Sequence, residues 1–502
     1  MAVDDVTRIR NIAIFGQGGV GKTSLADALV FAAGGAARLG RVDDGSSLFD
    51  FEPEEAKHKV SVASAIYTTS WKKHEVTIVD TPGYANFLAE SRHALRVVDG
   101  AIVVIPPGGQ VKVELERLWG WSGEEGVGCV GFIGNLDREE LDLDAVLERV
   151  GATLRAKLVA LTLPVGHGPD FHSTIDLLHS QLLVSAPSGQ TKAEAIPADM
   201  VDAAKAARER LVETVAEASD ELLEKYLESG ELSEEDLRAG LRAGTLERKF
   251  VPVLVGCAPR MIGVHALLDV VVDLLASPAE RTVRGVNPKS GEEAERTTAV
   301  AAPFSAFVFK TVIDPFAGRL SMFRIESGTL KADATVWNAS KESKEHVSHV
   351  LQIEGKKQHP IGEAIAGQIV AAAKLKETLT GDTLATDKEP ISYPALAETP
   401  TAISFAIEPK TKADEEKANQ ALQRILEEDP ALRVHRDTQT REIILSGAGQ
   451  LHVEIVVERL KRKYGVEVEL KAPKVPYRET IKSKATAQGK YKKQSGGRGQ
   501  YG

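Results

Sequence analysis

The richest chemistry in this sequence lies in a short segment near its start, "GQGGVGKT", which runs from Gly16 to Thr23. The segment fits the pattern G-x-x-x-x-G-K-[ST], and it follows an apolar strand and precedes an amphipathic helix, as that pattern requires. Glycines allow the backbone to curl so that its N–H groups face a phosphate chain at the start of the helix. Lys22 then supplies positive charge to the outer phosphates, and the Thr23 hydroxyl binds Mg²⁺. The residues that we predict to contact a nucleotide here are Gly16, Gln17, Gly18, Gly19, Val20, Gly21, Lys22, Thr23 and Ser24.

A second segment, "IVDTPGYANF" from Ile78 to Phe87, joins an apolar strand to an Asp-Thr-Pro-Gly turn. Asp80 closes the strand, where it can reach the Mg²⁺ ion, usually through water. Gly83 can offer its backbone N–H to a terminal phosphate. The alternative is a purely structural turn. With the phosphate loop upstream, we predict that Asp80, Thr81, Pro82, Gly83 and Tyr84 all border the nucleotide.

The elements that must position these loops are short apolar runs rich in Val and Ile. They occupy residues 11–15, 76–80, 100–105, 128–133 and 251–255, and helix-length segments separate most of them. This alternation predicts a parallel sheet covered on both faces. The helix after the phosphate loop should stop at Gly34-Gly35, and the polar stretch from there to about Lys59 should be a functional loop.

The rest of the chain divides by pattern into further parts. From about 155 to 250 the sequence predicts acidic helices inserted into the first domain, with Ser233 and Asp236 capping one of them. Residues 281–299 are interpreted as a linker, and residues 300–390 predict a small β-barrel of short strands with Gly turns. Residues 398–475 predict the order strand, helix, strand, strand, helix, strand, which is typical of a split βαβ sandwich.

Bulk composition limits the class of protein. A chain of 502 residues is too long for one core. The net charge of −10 argues against binding of nucleic acid by the whole surface, and no apolar run is long enough to span a membrane. Cys129 and Cys257 lack any Cys-x-x-Cys spacing, so buried thiols in a reducing cytosol are expected. We expect a cytoplasmic monomer without membrane or DNA partners.

Long stretches of the chain resemble one family. They include "LRVVDGAIVVI", "FKTVIDPFAGRLSMFRIESGTLK", "AIEPKTKADEEKANQALQRILEEDP", "GAGQLHVEIVVERLKRK" and "PYRETI", in addition to the two loops above. These resemble the translational GTPases, and among them the elongation factor G family. The resemblance implies an α/β multidomain fold. Its parts are a P-loop GTPase domain over residues 1–280, which contains the helical insertion, a β-barrel second domain, and a ferredoxin-like α+β third domain. It also implies GTP/GDP and Mg²⁺ as cofactors and the ribosome, with its RNA and proteins, as partner.

The chain departs from this family in its nucleotide site. Gln17 and Gly19 stand where the family usually carries a histidine and an acidic residue, which should leave cradling by backbone N–H groups intact. In the first switch, the family's Arg-Gly-Ile-Thr run reads His58-Lys59-Val60-Ser61, and Ser61 keeps the hydroxyl that would bind Mg²⁺. The resemblance therefore implies Thr23, Ser61 and Asp80 as the metal-binding residues.

The loop that reads the base departs further. The family's Asn-Lys-x-Asp run corresponds to Gly134, Asn135, Leu136 and Asp137. Asp137 can still accept the two guanine donors, but the asparagine amide is lost at Gly134. Each lost buried hydrogen bond costs about 1–3 kcal/mol. We predict weaker guanine binding and a reduced preference over adenine. Cys257 and Ala258 stand where the family has Ser-Ala, and the Ala258 N–H should still face the base oxygen.

Tyr84 replaces the family's switch histidine, which positions the attacking water when the ribosome triggers hydrolysis. A phenol does not become a cation at neutral pH, and loss of a positioning or acid–base group typically costs about 10²–10⁴ in rate. We expect Lys22 and Tyr84 to be the catalytic residues of a slow GTPase. Two alternatives remain open: a non-hydrolysing pseudo-GTPase that binds the ribosome, and a P-loop NTPase with relaxed base preference. Tyr84 as an apolar plug is a further interpretation.

Other polar residues carry weaker signals. His167, His172 and His179 lack the pattern that would complete a zinc site, and His452 is interpreted as a packing residue. Residues 476–502 resemble the start of a fourth domain that this sequence does not complete. The sequence is then expected to be either a shortened piece of a longer protein or a natural short form. Its basic residues would contact phosphates if this segment touches RNA; they are Lys490, Lys492, Lys493 and Arg498.

Overall fold

The computed structural model describes residues 4–138, 141–186, 190–314, 318–494, 496–497 and 499–502. Arg498 therefore lies outside the described residues. No helix in the described part of the chain is long and apolar enough to cross a membrane.

The first unit is built around a mostly parallel sheet. Its elements up to residue 154 are β1 (Ile9–Phe15), α1 (Lys22–Ala32), α2 (Pro53–His58), β2 (Ala65–Trp71), β3 (His74–Asp80), α3 (Leu88–Arg96), β4 (Gly100–Ile105), α4 (Val113–Glu124), β5 (Gly128–Ile133) and α5 (Leu143–Leu154). The five strands that the apolar runs predict are all present. Helix α1 ends two residues before Gly34, whose φ of 75° turns the chain away.

The segment that follows contains the predicted acidic helices and, ahead of them, strands that the sequence did not predict. It contains β6 (Leu158–Ala160), β7 (Thr162–Val165), β8 (Ser173–Asp176), β9 (Gln181–Ser185), β10 (Thr191–Glu194), α6 (Val201–Ala216), α7 (Asp220–Ser229) and α8 (Glu234–Leu246). The order β10-β9-β8-β7 is a separate antiparallel sheet. Its strands have at most five residues, so their alternation was too short to read from the sequence. The Ser233 hydroxyl accepts the Asp236 N–H at 3.0 Å, as the capping prediction requires.

The sheet of the first unit closes with β11 (Val251–Val255) and α9 (Val264–Leu274). The strand order is β2-β3-β1-β4-β5-β11-β6, and β2 is antiparallel to β3. Strand β1 is buried along its whole length, with Ile12 and Ile14 in the core under α1 and α9, and Ala13 and Phe15 in the core on the opposite face. Helices therefore cover both faces, as the apolar runs predict.

The segment interpreted as a linker is an ordered β-hairpin instead. Strands β12 (Thr282–Val286) and β13 (Glu293–Thr297) pair antiparallel. Val283 is buried at 3% exposure while its neighbours Thr282 and Arg284 are exposed. A single buried residue anchors this strand, so a polar hairpin was mistaken for a linker.

The second unit is a β-barrel, in which two strands of ten residues are followed by shorter strands of three to five residues. They are β14 (Ser305–Asp314), β15 (Gly318–Ser327), β16 (Thr329–Lys331), β17 (Ala334–Asn338), β18 (Ser343–Val347), β19 (Val350–Glu354), β20 (Lys357–Ile361), β21 (Glu363–Ile365), β22 (Ile369–Ala373) and β23 (Thr383–Ala385). Its contact with the first unit holds a buried ion cluster, in which the Arg324 guanidinium lies 2.7 Å from Asp99 and 3.3 Å from Glu326.

The third unit has the predicted order of elements. They are β24 (Ile403–Pro409), α10 (Lys412–Glu428), β25 (Arg433–Arg436), β26 (Ile443–Gly447), α11 (Gln450–Tyr464) and β27 (Val468–Lys471). The antiparallel order β25-β26-β24-β27 is the ferredoxin-like arrangement, which confirms the fold prediction. Near the end, β28 (Lys492–Lys493) pairs with β29 (Gln500–Tyr501).

Candidate functional site

The phosphate loop connects β1 to α1 and depends on glycine for its path. Gly19 and Gly21 have φ of 80° and 91°, in the left-handed region that residues with a Cβ seldom adopt. Gly21 is the N-cap residue of α1, which begins at Lys22. The loop therefore curls directly into the helix N-terminus, where backbone N–H groups can face an anion.

Lys22 is buried and folds back over this loop. Its ammonium group donates to the Gln17 carbonyl at 3.0 Å. Burial lowers the pKa of Lys22 to about 8, although the Asp80 and Asp50 carboxylates oppose that shift. Gly83 packs so closely on the Lys22 ammonium and the Gly16 carbonyl that a Cβ would have no room there. The two predicted loops thus meet at Lys22.

The side chain of Gln17 faces away from the phosphate loop. Its amide donates to the Gln110 carbonyl at 3.1 Å, and its oxygen accepts the Lys112 N–H at 2.8 Å. Only the backbone of Gln17 can therefore serve a phosphate. Val20 is buried, and the structure places Ser24 half-buried in the first turn of α1.

The three predicted metal-binding residues converge on one point. The Thr23 hydroxyl donates to the Asp80 carboxylate at 2.7 Å and lies 3.2 Å from the Ser61 hydroxyl. The other Asp80 oxygen is buried and has no hydrogen-bond partner among the described residues. Burial, together with the nearby Asp50 carboxylate, raises the pKa of Asp80 well above its usual range. Two hydroxyls beside an unsatisfied carboxylate oxygen fit a small hard cation such as Mg²⁺.

Asp50 is a residue of this site that sequence reasoning missed. It accepts the Ser61 hydroxyl at 2.8 Å, and burial raises its pKa. Asp50 lies in the polar stretch that was expected to be a functional loop, but no motif separates it from Asp43 or Asp44 nearby. Only the fold brings it next to Ser61.

Tyr84 lies over the phosphate loop. A Cβ on Gly18 would come within 2.8–2.9 Å of three atoms of the Tyr84 ring, so the ring rests directly on the Gly18 backbone. Tyr84 is 40% exposed, and within the described part of the chain its hydroxyl has no hydrogen-bond partner. Thr81 and Pro82 fix the turn that precedes it, because the Thr81 hydroxyl donates to the Ile14 carbonyl and the Pro82 carbonyl accepts the Ser91 hydroxyl.

The predicted base-reading residues follow β5 and β11. Leu136 is buried, while Asn135 has a φ of 61° and its amide lies 3.4 Å from the Val20 carbonyl of the phosphate loop. Burial, then the adjacent Asp137 carboxylate, raises the pKa of the Cys257 thiol to about 12. The thiol therefore stays protonated and can donate to Asp137.

Gly134 and Ala258 are the other two predicted base-contacting residues in the loops after β5 and β11. Gly134 directly follows β5, and a Cβ there would meet the Phe132 ring at 3.4 and 3.8 Å, which are ordinary contact distances. Ala258 is buried next to Cys257. The structure thus brings the residues predicted to contact the base and the phosphates to one edge of the sheet, at the carboxyl ends of parallel strands.

The two cysteines and His452 are buried, whereas His167, His172 and His179 are exposed. Cys129 and Cys257 are buried free thiols. His179 contacts Asp176 at 2.5 Å, and the His452 ring lies 2.7 Å from Asp429 and edge-on to Phe87. Among the described residues, no group of three or more His, Cys, Asp or Glu side chains could hold a metal ion.

Comparisons with known proteins agree with this arrangement. The family model for the elongation factor Tu GTP binding domain matches residues 7–277, that for elongation factor G domain 2 matches residues 303–387, and that for elongation factor G domain III matches residues 399–472. Proteins named elongation factor G from Thermotoga maritima and Thermotoga petrophila are each 40% identical to the chain over 501 residues, which is 99% of this chain and 72% of theirs. A crystal structure of a Thermus thermophilus protein superimposes with a TM-score of 0.85 at 32% identity, covering 99% of this chain and 72% of that one.

The fold and the matched domains define a translational GTPase. The chain belongs to the elongation factor G family. It is accordingly an enzyme that uses GTP/GDP and Mg²⁺, and its family acts on the ribosome.

Proposed function

We propose that this chain binds GTP with Mg²⁺ at the loops described above, acts on the ribosome as a monomer, and hydrolyses GTP slowly. The slow step follows from Tyr84, which stands where the family has its switch histidine. Thr23, Ser61 and Asp80 would hold the metal ion, which neutralises charge on the phosphates when it is bound. Lys22 would supply a second positive charge to the same phosphates.

The observation that carries this proposal is the position of the Tyr84 ring. The ring lies on Gly18 of the phosphate loop, which supports a role for this residue beside the terminal phosphate of a bound GTP. It offers only a neutral phenol, and that hydroxyl is not oriented by any hydrogen bond among the described residues. Orientation of the attacking water is therefore weak. The loss that we expect is about 10²–10⁴ in rate.

A second feature supports a relaxed choice of base. Gly134 has no side chain to offer an amide, and the Asn135 amide turns to the Val20 carbonyl at 3.4 Å rather than toward a base. Asp137 and the Ala258 N–H would remain as the contacts that distinguish guanine. We expect GTP to bind more tightly than ATP, with a smaller margin than a full Asn-Lys-x-Asp loop provides. Equal displacement of labelled GTP by ATP would instead favour an NTPase without base preference.

Restoration of the missing imidazole tests the proposed cause of slow hydrolysis. GTP turnover with purified ribosomes is measured for the chain and for Tyr84→His, with Tyr84→Phe as the matched control that removes only the hydroxyl. We expect Tyr84→His to raise turnover by about 10²-fold or more, and Tyr84→Phe to leave it unchanged or lower. If Tyr84→His leaves turnover unchanged while GTP stays bound, the chain binds GTP without hydrolysing it for a reason other than Tyr84, and the proposed cause is wrong.

A further inference from the structure

The helix α2 in the first switch is held by ion pairs from the third unit. The Arg462 guanidinium of α11 donates to both oxygens of Glu54, at 2.7 and 2.9 Å, and to Glu52 at 2.6 Å. One turn earlier on α11, the Glu458 carboxylate accepts the Lys57 ammonium at 2.5 Å and lies 3.1 Å from the His58 ring nitrogen. We call these contacts the α2–α11 clamp. Opposite charges therefore face each other along the whole length of α2.

The clamp is built on one face of α11 that also carries apolar contacts. Ile455 is buried against Val62, which follows the first switch, and against Phe87, which follows Tyr84 in the second switch. Leu451, Ile455, Glu458 and Arg462 are spaced four, three and four residues apart, so they share one helix face. This face of the third unit contacts both switch segments, which would border the terminal phosphate of a bound GTP.

Charge burial makes Arg462 the central member of the clamp. The Glu54 side chain is only 3% exposed, whereas Arg462 is 36% exposed. Without the guanidinium, Glu54 would be a buried carboxylate without its cation, and such a group is strongly unfavourable. Helix α2 would then shift outward until Glu54 reached water.

The position of α2 is transmitted to Ser61 by a short chain of contacts. Glu55 of α2 accepts the Val62 N–H at 3.0 Å with one oxygen and the Glu52 N–H at 3.1 Å with the other. Val62 is the residue after Ser61, so an outward shift of α2 would pull the Ser61 hydroxyl away from Thr23. The path of contacts from Arg462 to Ser61 is therefore continuous through α2 and Val62.

We propose that Arg462 is a positioning residue for the nucleotide site: it holds Ser61 in place through α2, so that the third unit favours the GTP-bound state over the GDP-bound state. This rests on the proposed function in one respect, the assignment of Ser61 to the Mg²⁺ site. Since Ser61 belongs to a segment that would serve the terminal phosphate, loss of the clamp affects GTP and spares GDP. The coupling is reciprocal, so bound GTP also tightens the contact between α2 and α11.

The test compares affinities of the full chain for GDP and for a non-hydrolysable GTP analogue, each with Mg²⁺. The variants are Arg462→Met, Arg462→Lys and, as the matched control, Lys461→Met. Lys461 is the adjacent cation on the same helix, 68% exposed, and its partner is Glu467 of the same unit. We expect Arg462→Met to weaken the analogue about tenfold and to leave GDP within about twofold. Arg462→Lys should recover part of the loss, and Lys461→Met should change neither affinity.

Hydrogen exchange of residues 53–62 without nucleotide provides a second readout that needs neither binding nor hydrolysis. Arg462→Met should accelerate exchange in this segment, including the Val62 N–H, and Lys461→Met should not. Equal weakening of GDP and analogue, or unchanged exchange in 53–62, would overturn the proposal. If the chain binds no GTP analogue at all, the proposed function fails, yet the exchange measurement still decides whether Arg462 holds α2.

Discussion

The contact between Tyr84 and Gly18 predicts that a substitution of Gly18 by alanine displaces the Tyr84 ring and accelerates the release of GTP. Gly18 does not have a left-handed φ, so alanine there adds no backbone strain. Its Cβ would, however, lie 2.8–2.9 Å from three ring atoms, whereas carbon atoms in contact prefer about 3.5–4.0 Å. The ring must therefore retreat or swing into solvent, which its 40% exposure permits.

The size of the effect follows from the surface that the ring covers. If the ring releases about 40 Å² of apolar surface, the contact is worth about 1 kcal/mol at roughly 25 cal/mol per Å². That free energy corresponds to about a fivefold change in an equilibrium or a release rate. We expect Gly18→Ala to release labelled GTP about fivefold faster, because the ring no longer covers the loop.

A double-mutant cycle with Tyr84→Ala separates this contact from other effects of the new methyl group. Release of labelled GTP is followed by stopped flow for Gly18→Ala, Tyr84→Ala and the double variant. Tyr84→Ala should release GTP as fast as Gly18→Ala, and the double variant no faster than either. An equal effect of Gly18→Ala in both backgrounds would show that the methyl group acts on the phosphate loop itself, and would refute the role given to the ring.

Three further predictions concern the base, the core and the interface between the first two units. Gly134→Asn has room, since a Cβ there would meet Phe132 at an ordinary 3.4 Å. One regained hydrogen bond is worth about 1 kcal/mol, so the affinity for GTP should rise about fivefold. The affinity for ATP, measured by competition, should stay unchanged. Burial raises the pKa of Asp27 from 3.8 to about 6. Between about pH 4 and pH 6 the folded chain therefore holds a proton that the unfolded chain has lost, and the free energy of unfolding falls as the pH rises. Asp27→Asn should reduce this dependence on pH and raise the free energy of unfolding at pH 7 by about 1–3 kcal/mol in denaturant titrations. Arg324→Met removes the nearest cation from two buried carboxylates and should cost about 3–5 kcal/mol in the same titrations, whereas Arg284→Met, in an exposed ion pair, should cost less than about 1 kcal/mol.

Much of the fold was predictable because its signals are local. Val- and Ile-rich runs marked β1, β3, β4, β5 and β11 of the first sheet, though not its outer strands β2 and β6, and turn glycines marked the barrel. The errors arose where the pattern is short or polar. The four-stranded sheet over 162–194 has strands of four or five residues, and the hairpin β12–β13 buries little more than Val283, so neither could be distinguished from loop by periodicity.

The candidate site also contains residues that belong to local motifs and residues that only the fold brings together. The residues of the phosphate loop and of the turn after β3 follow consecutive motifs, so the proximity of Lys22, Thr23 and Asp80 could be predicted from the sequence. Asp50 and Gly18 were not predictable in their roles, because one acts through Ser61 and the other through Tyr84, both distant in sequence. The clamp by Arg462 joins residues about 400 positions apart, which no single sequence pattern records.

The most direct test of the central claim is single-turnover hydrolysis of GTP by the unmodified chain, with and without purified ribosomes. Retention of labelled GTP on the protein is measured in parallel, so that binding and cleavage are separated. We predict that GTP is retained while release of its terminal phosphate stays slow even with ribosomes present. Rapid release with ribosomes, at a rate equal to that of Tyr84→His, would contradict the account and make Tyr84 a fully working substitute for the histidine.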